Sequence, residues 1–179
     1  GIIAVISFGW LLSFLKTFGF LSNRFFTRKV INVYWPNAMF REPIFIFIHS
    51  YGGDIEQANY FCDLVQSSHI PIVTIGMGVA MSAGFLIFLS GVRRYAFKHC
   101  QMLVHSGSAA FQGTAEQIEE AQKNYKKQID SMKEYILERT DIDEKTFNKN
   151  RNKDWYLTCD ELEKYHITDK IITSFDEIL

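Results

Sequence analysis

Ser82 stands in the run Gly76-Met77-Gly78-Val79-Ala80-Met81-Ser82-Ala83-Gly84, small residues on both sides, where an apolar strand pattern passes into an apolar helix pattern. A serine hydroxyl is a weak nucleophile until a base removes its proton, and the base works best when a third group fixes its ring and balances its charge. His105, after the apolar Met102-Leu103-Val104, and Asp154, before Trp155-Tyr156, are residues of the right types for those two roles. The chemistry would be acyl transfer. A serine at a helix start also has backbone N–H groups nearby that favour a developing oxyanion. Ala83 can supply one, and the Gly52-Gly53 turn at the end of a neighbouring strand can bring a second. Each residue has a plainer reading too: Ser82 as packing, His105 as a hydrogen-bonded structural residue, Asp154 as part of a charge cluster with Lys149, Arg151 and Lys153. Residue types alone lead to an α/β domain with a candidate site.

The elements that must position these residues alternate. Ile44-Phe45-Ile46-Phe47-Ile48 is a continuous β-branched and aromatic run, the pattern of a strand covered on both faces, and Gly52-Gly53 ends it in a tight turn. From residue 54 to 67, Ile55, Ala58, Phe61, Cys62 and Val65 recur at helical spacing, with Asp54 placed as the cap. Ile72-Val73-Thr74-Ile75 predicts the next strand, closing a β-α-β unit with a right-handed crossover. A helix over residues 85–89, strands near 94–97 and 101–104, and a long helix over 114–139 follow. Thr114 and Gln117 have capping-box spacing. The polar faces of the long helix suggest solvent or subunit contact. Residues 143–179 read as short helical pieces and a final strand near 170–173.

A chain of 179 residues suffices for one domain with a sizeable core and is short for two. With 47% hydrophobic residues and a net charge of -1, the composition excludes a disordered chain or a general nucleic-acid binder. Cys62, Cys100 and Cys159 show neither C-x-x-C spacing nor a disulfide framework, and no metal or cofactor is expected. Residues 1–41 differ from the rest, with Lys16, Arg24, Arg28, Lys29 and Arg41 but no acidic residue. Within them residues 2–15 are uncharged, and the apolar stretch to residue 21 suggests either a membrane anchor or a Phe-rich helix packed on the domain or a neighbouring subunit. Residues 1–42 are accordingly set apart from a domain spanning 43–179.

Taken in order, the blocks 44–48, Gly52-Gly53-Asp54-Ile55, 75–84, 102–105, Phe111-Gln112-Gly113-Thr114-Ala115 and Asp154-Trp155-Tyr156-Leu157-Thr158 with Glu161 resemble the proteolytic-subunit family of the ATP-dependent Clp protease. The resemblance implies a crotonase-like α/β fold of repeated β-β-α units with a protruding handle helix. It implies Ser82 as nucleophile, His105 as base and Asp154 as the acid that orients it, with Gly53 and Ala83 as oxyanion donors. Phe111 and Gln112 match the strand that pairs with substrate backbone by strand addition. Stacked heptameric rings, polypeptide substrates, an AAA+ unfoldase partner and a cytoplasmic location are further implications. No Gly-x-x-x-x-Gly-Lys-Ser/Thr loop is present, so that partner would hydrolyse the ATP. Tyr51 replaces the family's proline before the Gly-Gly turn, and Ser106-Gly107 its Gln-Pro after the histidine. Two other expectations stand beside this one: a membrane-attached peptidase similar to signal peptide peptidase A, using lysine as base, and an inactive ring subunit.

Overall fold

The computed structural model describes residues 3–7 and 42–178. Its sheet contains β1 (Ile3–Ser7), β2 (Ile44–Ser50), β3 (Ile72–Met81), β4 (Arg93–Phe97), β5 (Gln101–Val104), β6 (Trp155–Leu157) and β7 (Lys170–Ile172). The main path runs β1-β2-β3-β4-β7 with every pairing parallel. The helices are α1 (Ile55–Gln66), α2 (Ala83–Ser90), α3 (Ala115–Arg139), α4 (Glu144–Asn150) and α5 (Cys159–Lys164).

Period-two alternation in β2 sorts its side chains between two cores. Ile46 and Ile48 join α1, α2 and the end of α3 in the main cluster, while Phe45 and Phe47 turn to the other face with Val73, Ile75 and Ile172. Phe175 closes that second face, its ring edge-on to Phe47 at 5.4 Å and to Phe97 at 5.1 Å. The expectation of a strand covered on both faces is met.

α2 is the centre of the main core, with all eight of its residues buried. Five of these are Phe, Leu or Ile side chains, each contributing about 2 kcal/mol of transfer free energy. Asp54 caps α1 by accepting from the Gln57 N–H at 3.0 Å, and Thr114 with Gln117 forms the expected capping box on α3.

β3 is ten residues long and changes partners along its length. Its first half pairs with β4, its second half with β5, and between them Gly78 adopts φ +71 where the register to β2 also slips. His49 packs over this bulge, its Nδ1 3.0 Å from the Met77 carbonyl, so closely that a Cβ on Gly78 would sit 2.5 Å from it. This fork lets β5 run past the end of β3. β5 then takes β6 as its antiparallel partner.

Two sequence expectations change. The apolar start is not helical throughout, because Ile3–Ser7 is an edge strand whose backbone pairs in parallel with β2 and covers its otherwise open edge. The rest of the proposed anchor or packing helix lies outside the described residues. No helix among the described residues is long and apolar enough to cross a membrane. β6, three residues long, was not anticipated, since so short a run carries no period of its own.

Candidate active site

Ser82 occupies the joint between β3 and α2 with φ +53 and ψ -121, an uncommon conformation for a residue with a side chain. Such geometry costs about 1–3 kcal/mol and persists only where surrounding structure enforces it. Three contacts do so. The Ser82 N–H donates to the Leu103 carbonyl at 2.9 Å, its own carbonyl accepts from the Phe85 N–H at 3.0 Å, and Gly52 lies directly against it. A Cβ on Gly52 would fall 2.7 Å from Ser82 Cβ and 3.2 Å from the Ala83 nitrogen. Glycine is therefore needed at position 52, where φ is +106 as well.

His105 follows directly on β5. Because Leu103 lies beside Met81 in the parallel pairing, continuing β5 by two residues carries the imidazole over Ser82. Its Nε2 is 2.8 Å from Ser82 Oγ. On the other side Val104 is opposite Trp155 in the β5–β6 ladder, so the residues just beyond the ladder are His105 and Asp154. His105 Nδ1 is 3.2 Å from Asp154 Oδ1. With the Nδ1 proton directed at that carboxylate, Nε2 presents its lone pair to the serine hydroxyl. The Asp154 side chain is 59% exposed and that of His105 31%, so the group opens to solvent on the aspartate side.

The N–H groups of Ala83 and Gly84, at the first positions of α2, have no carbonyl of their own helix to meet, and no side chain caps this end. They give the Ser82 end of a buried helix a positive character. A cleft of about 470 Å³ opens over it. Gly53, Ile55, Ser82, Ala83, Leu86 and His105 form its floor and near wall, and Phe111, Ala121, Tyr125, Ile129 and Met132 its far side.

The structure thus brings Ser82, His105 and Asp154 into one hydrogen-bonded chain and sets Gly53, Ala83 and Phe111 on the same cleft. Gln112 is exposed and does not line it. Among the described residues, the loop from Ser106 to Thr114 has no strand partner. α3 departs from expectation: besides its solvent faces, one face walls the cleft through Ala121, Tyr125, Ile129 and Met132. Their four- and three-residue spacing is that of a helical stripe and was readable, but the surrounding Glu, Lys and Gln concealed it. Sequence reasoning also missed Leu86 in the cleft. Among the described residues no group of three or more His, Cys, Asp or Glu could hold a metal ion.

Comparison with known proteins places the chain in a family. The sequence profile described as Clp protease matches residues 33–175, beginning ahead of the boundary read at residue 43. The chain is 32% identical over 139 residues to the ATP-dependent Clp protease proteolytic subunit 2 of Treponema denticola, covering 76% of this chain and 70% of that one. It is 30% identical over 143 residues to the subunit of the same name from Pseudomonas aeruginosa, covering 76% and 69%. Among solved structures, a mutant of ClpP1 from Listeria monocytogenes superposes with a TM-score of 0.75 over 97% of this chain and 92% of that one, at 21% identity. That similarity supports the ClpP/crotonase-like fold. With most of its length matched by the family profile, the chain belongs to the Clp protease family, a family of serine peptidases.

Proposed function

We propose that this protein is a serine endopeptidase that cleaves unfolded polypeptide, with Ser82 as nucleophile, His105 as general base and Asp154 as the group that orients and balances it. The observation that carries this is the unbroken chain Ser82 Oγ, His105 Nε2, His105 Nδ1, Asp154 Oδ1, at 2.8 and 3.2 Å, on the floor of an open cleft. Ser82 Oγ attacks the scissile carbonyl carbon while its proton passes to His105 Nε2. The resulting oxyanion faces the amino end of α2, where Ala83 N–H is the nearest donor in sequence and Gly53 lines the same space. His105 then returns the proton to the leaving amine as the C–N bond breaks. Water, deprotonated by His105 in turn, releases the acyl group and restores Ser82. Asp154 stays ionised and stabilises the imidazolium that forms at each stage.

The cleft's shape favours an extended peptide. Beside it runs the loop that contains Phe111 and Gln112, where residues 108–112 make no backbone–backbone hydrogen bond among the described residues and are available for strand addition. Assembly into rings around a chamber fed by an ATP-dependent unfoldase fits three facts. The relatives bear the name of an ATP-dependent protease, this sequence has no phosphate-binding loop, and Tyr51, Val92 and Tyr156 remain 74%, 62% and 58% exposed in the single chain. A cytoplasmic location belongs to the same proposal.

A fluorophosphonate probe applied to the purified protein tests the core of it. Labelling of the parent that disappears in both Ser82→Ala and His105→Ala is the expected result. A folded, assembled parent that takes no label would exclude an activated serine and support the inactive-subunit reading instead.

A further inference from the structure

We propose that Ser106 is a positioning residue for this site: its hydroxyl holds the loop that presents Asp154 to His105. The inference rests on the peptidase reading above for its kinetic part and on geometry alone for its structural part.

The β5–β6 ladder pairs Met102 with Leu157, Leu103 with Tyr156 and Val104 with Trp155, and there it ends. His105 and Asp154 are the next residues out, on two segments that no longer pair. Residues 105–114 have no regular secondary structure, and Asp154 closes the turn that follows α4. Two backbone bonds shape that turn, Arg151 N–H to Phe147 carbonyl at 2.8 Å and Lys153 N–H to Asn150 carbonyl at 3.1 Å. Both tie it to α4, and neither ties it to the histidine segment.

The Ser106 hydroxyl makes that link, donating to the Arg151 carbonyl at 2.6 Å. The His105–Asp154 bond therefore lies between two restraints, the ladder on one side and the Ser106–Arg151 bond on the other. Asp154 needs the second restraint. Its side chain is mostly exposed, its bond to His105 is 3.2 Å, and water competes for the same oxygen. The charged residues that line the cavities bordering His105 are Asp54, Arg151, Lys153 and Asp154.

Ser106 is itself fixed from α3. Tyr125 OH donates to the Ser106 carbonyl at 3.0 Å. Gly107 then turns the chain away at φ +76, a conformation that suits glycine, and a Cβ there would stand 3.1 Å from that same hydroxyl. Ser106-Gly107 acts as one unit, the serine bridging to Arg151 and the glycine leaving room for Tyr125.

The test compares the full-length, assembled parent with Ser106→Ala and Ser106→Thr by hydrolysis of a fluorogenic peptide amide and by the downfield proton resonance of the His105–Asp154 hydrogen bond. The expected result for Ser106→Ala is a kcat lower by about ten- to a hundredfold with KM unchanged, together with loss or broadening of that resonance. Ser106→Thr, which keeps the hydroxyl, restores both. Parent-like kcat and resonance in Ser106→Ala overturn the proposal, as does a fall in kcat that leaves the resonance intact or that Ser106→Thr shares. Should Ser106→Ala fail to fold, Ser106→Cys, close in size but a weak donor, is read in the same way. If the parent takes no serine probe, the peptidase reading fails alone, and the resonance in parent and variant still decides the role of Ser106.

Discussion

At the carboxyl end of α2 every carbonyl from Leu86 to Gly91 meets a side-chain donor, whereas at the amino end no side chain caps the helix at all. Cys62 Sγ reaches Leu86, Ser90 Oγ reaches Ile87, and Thr74 Oγ1 reaches Phe88. The Arg139 guanidinium donates to Leu89, Ser90 and Gly91 at 2.8–3.2 Å. Burial raises the Cys62 thiol to about 11, which keeps it a protonated donor. A buried helix must satisfy its terminal carbonyls, and the chain does so with Ser90 of α2 itself and three side chains from distant segments, Cys62, Thr74 and Arg139. The other terminus is left uncapped beside a strained serine and an open cleft. The two ends of α2 thus differ in use: the closed polar groups stabilise the fold, and the open ones, in the mechanism proposed above, face the developing oxyanion.

Variants at the two ends should therefore separate chemistry from stability. The largest effect is expected at the open end. Ser82→Ala should reduce peptide hydrolysis at least about a thousandfold. Its unfolding free energy should stay within about 1 kcal/mol of the parent, because the lost hydroxyl is no part of the core. Turnover above a hundredth of the parent's would mean that another group attacks the substrate. Arg139→Met at the closed end should do the reverse. It should lower stability by about 3 kcal/mol in denaturant titration, since it strands buried carbonyls that a charged donor had satisfied. Labelling per folded molecule should be retained, and selective loss of labelling in a fully folded Arg139→Met would contradict the division of labour.

Within the first turn of α2, Gly84 is packed against β2. An added Cβ would meet Ser50 Cβ at 2.9 Å and the Ser50 carbonyl at 3.1 Å. Gly84→Ala should cost about 2 kcal/mol by overpacking, and it should also disturb labelling by shifting the amino end of α2. An unchanged melting temperature would show that β2 yields more readily than the close contact indicates.

The smallest effect concerns the thiols. Burial raises Cys62 from its ordinary 9.0 to about 11 and Cys100 to about 12. In the native protein at pH 8, iodoacetamide should modify the partly exposed Cys159 well ahead of both. The linkage has a definite sign. Because the folded values lie above the unfolded one, the stability these thiols contribute is whole below about pH 9. It is lost as pH rises toward 11 and beyond. Equal alkylation of all three would show that the α2 end opens freely.

Much of this arrangement was legible before any coordinates. β-branched and aromatic runs marked β2 and the start of β3, Asp54 and Thr114 marked helix starts, and Ser82, His105 and Asp154 were residues of suitable type in ordered blocks. These signals are local, set by side-chain alternation and capping within a few residues of the chain. What the tertiary structure alone decided is how those pieces meet. The fork in β3 carries His105 over Ser82, the end of the β5–β6 ladder leaves His105 facing Asp154, and Arg139 closes a helix about fifty residues before it in the chain. The stripe on α3 faces the cleft, and Ser82 is held at positive φ, for the same reason: long-range packing sets these positions, and no periodicity encodes them.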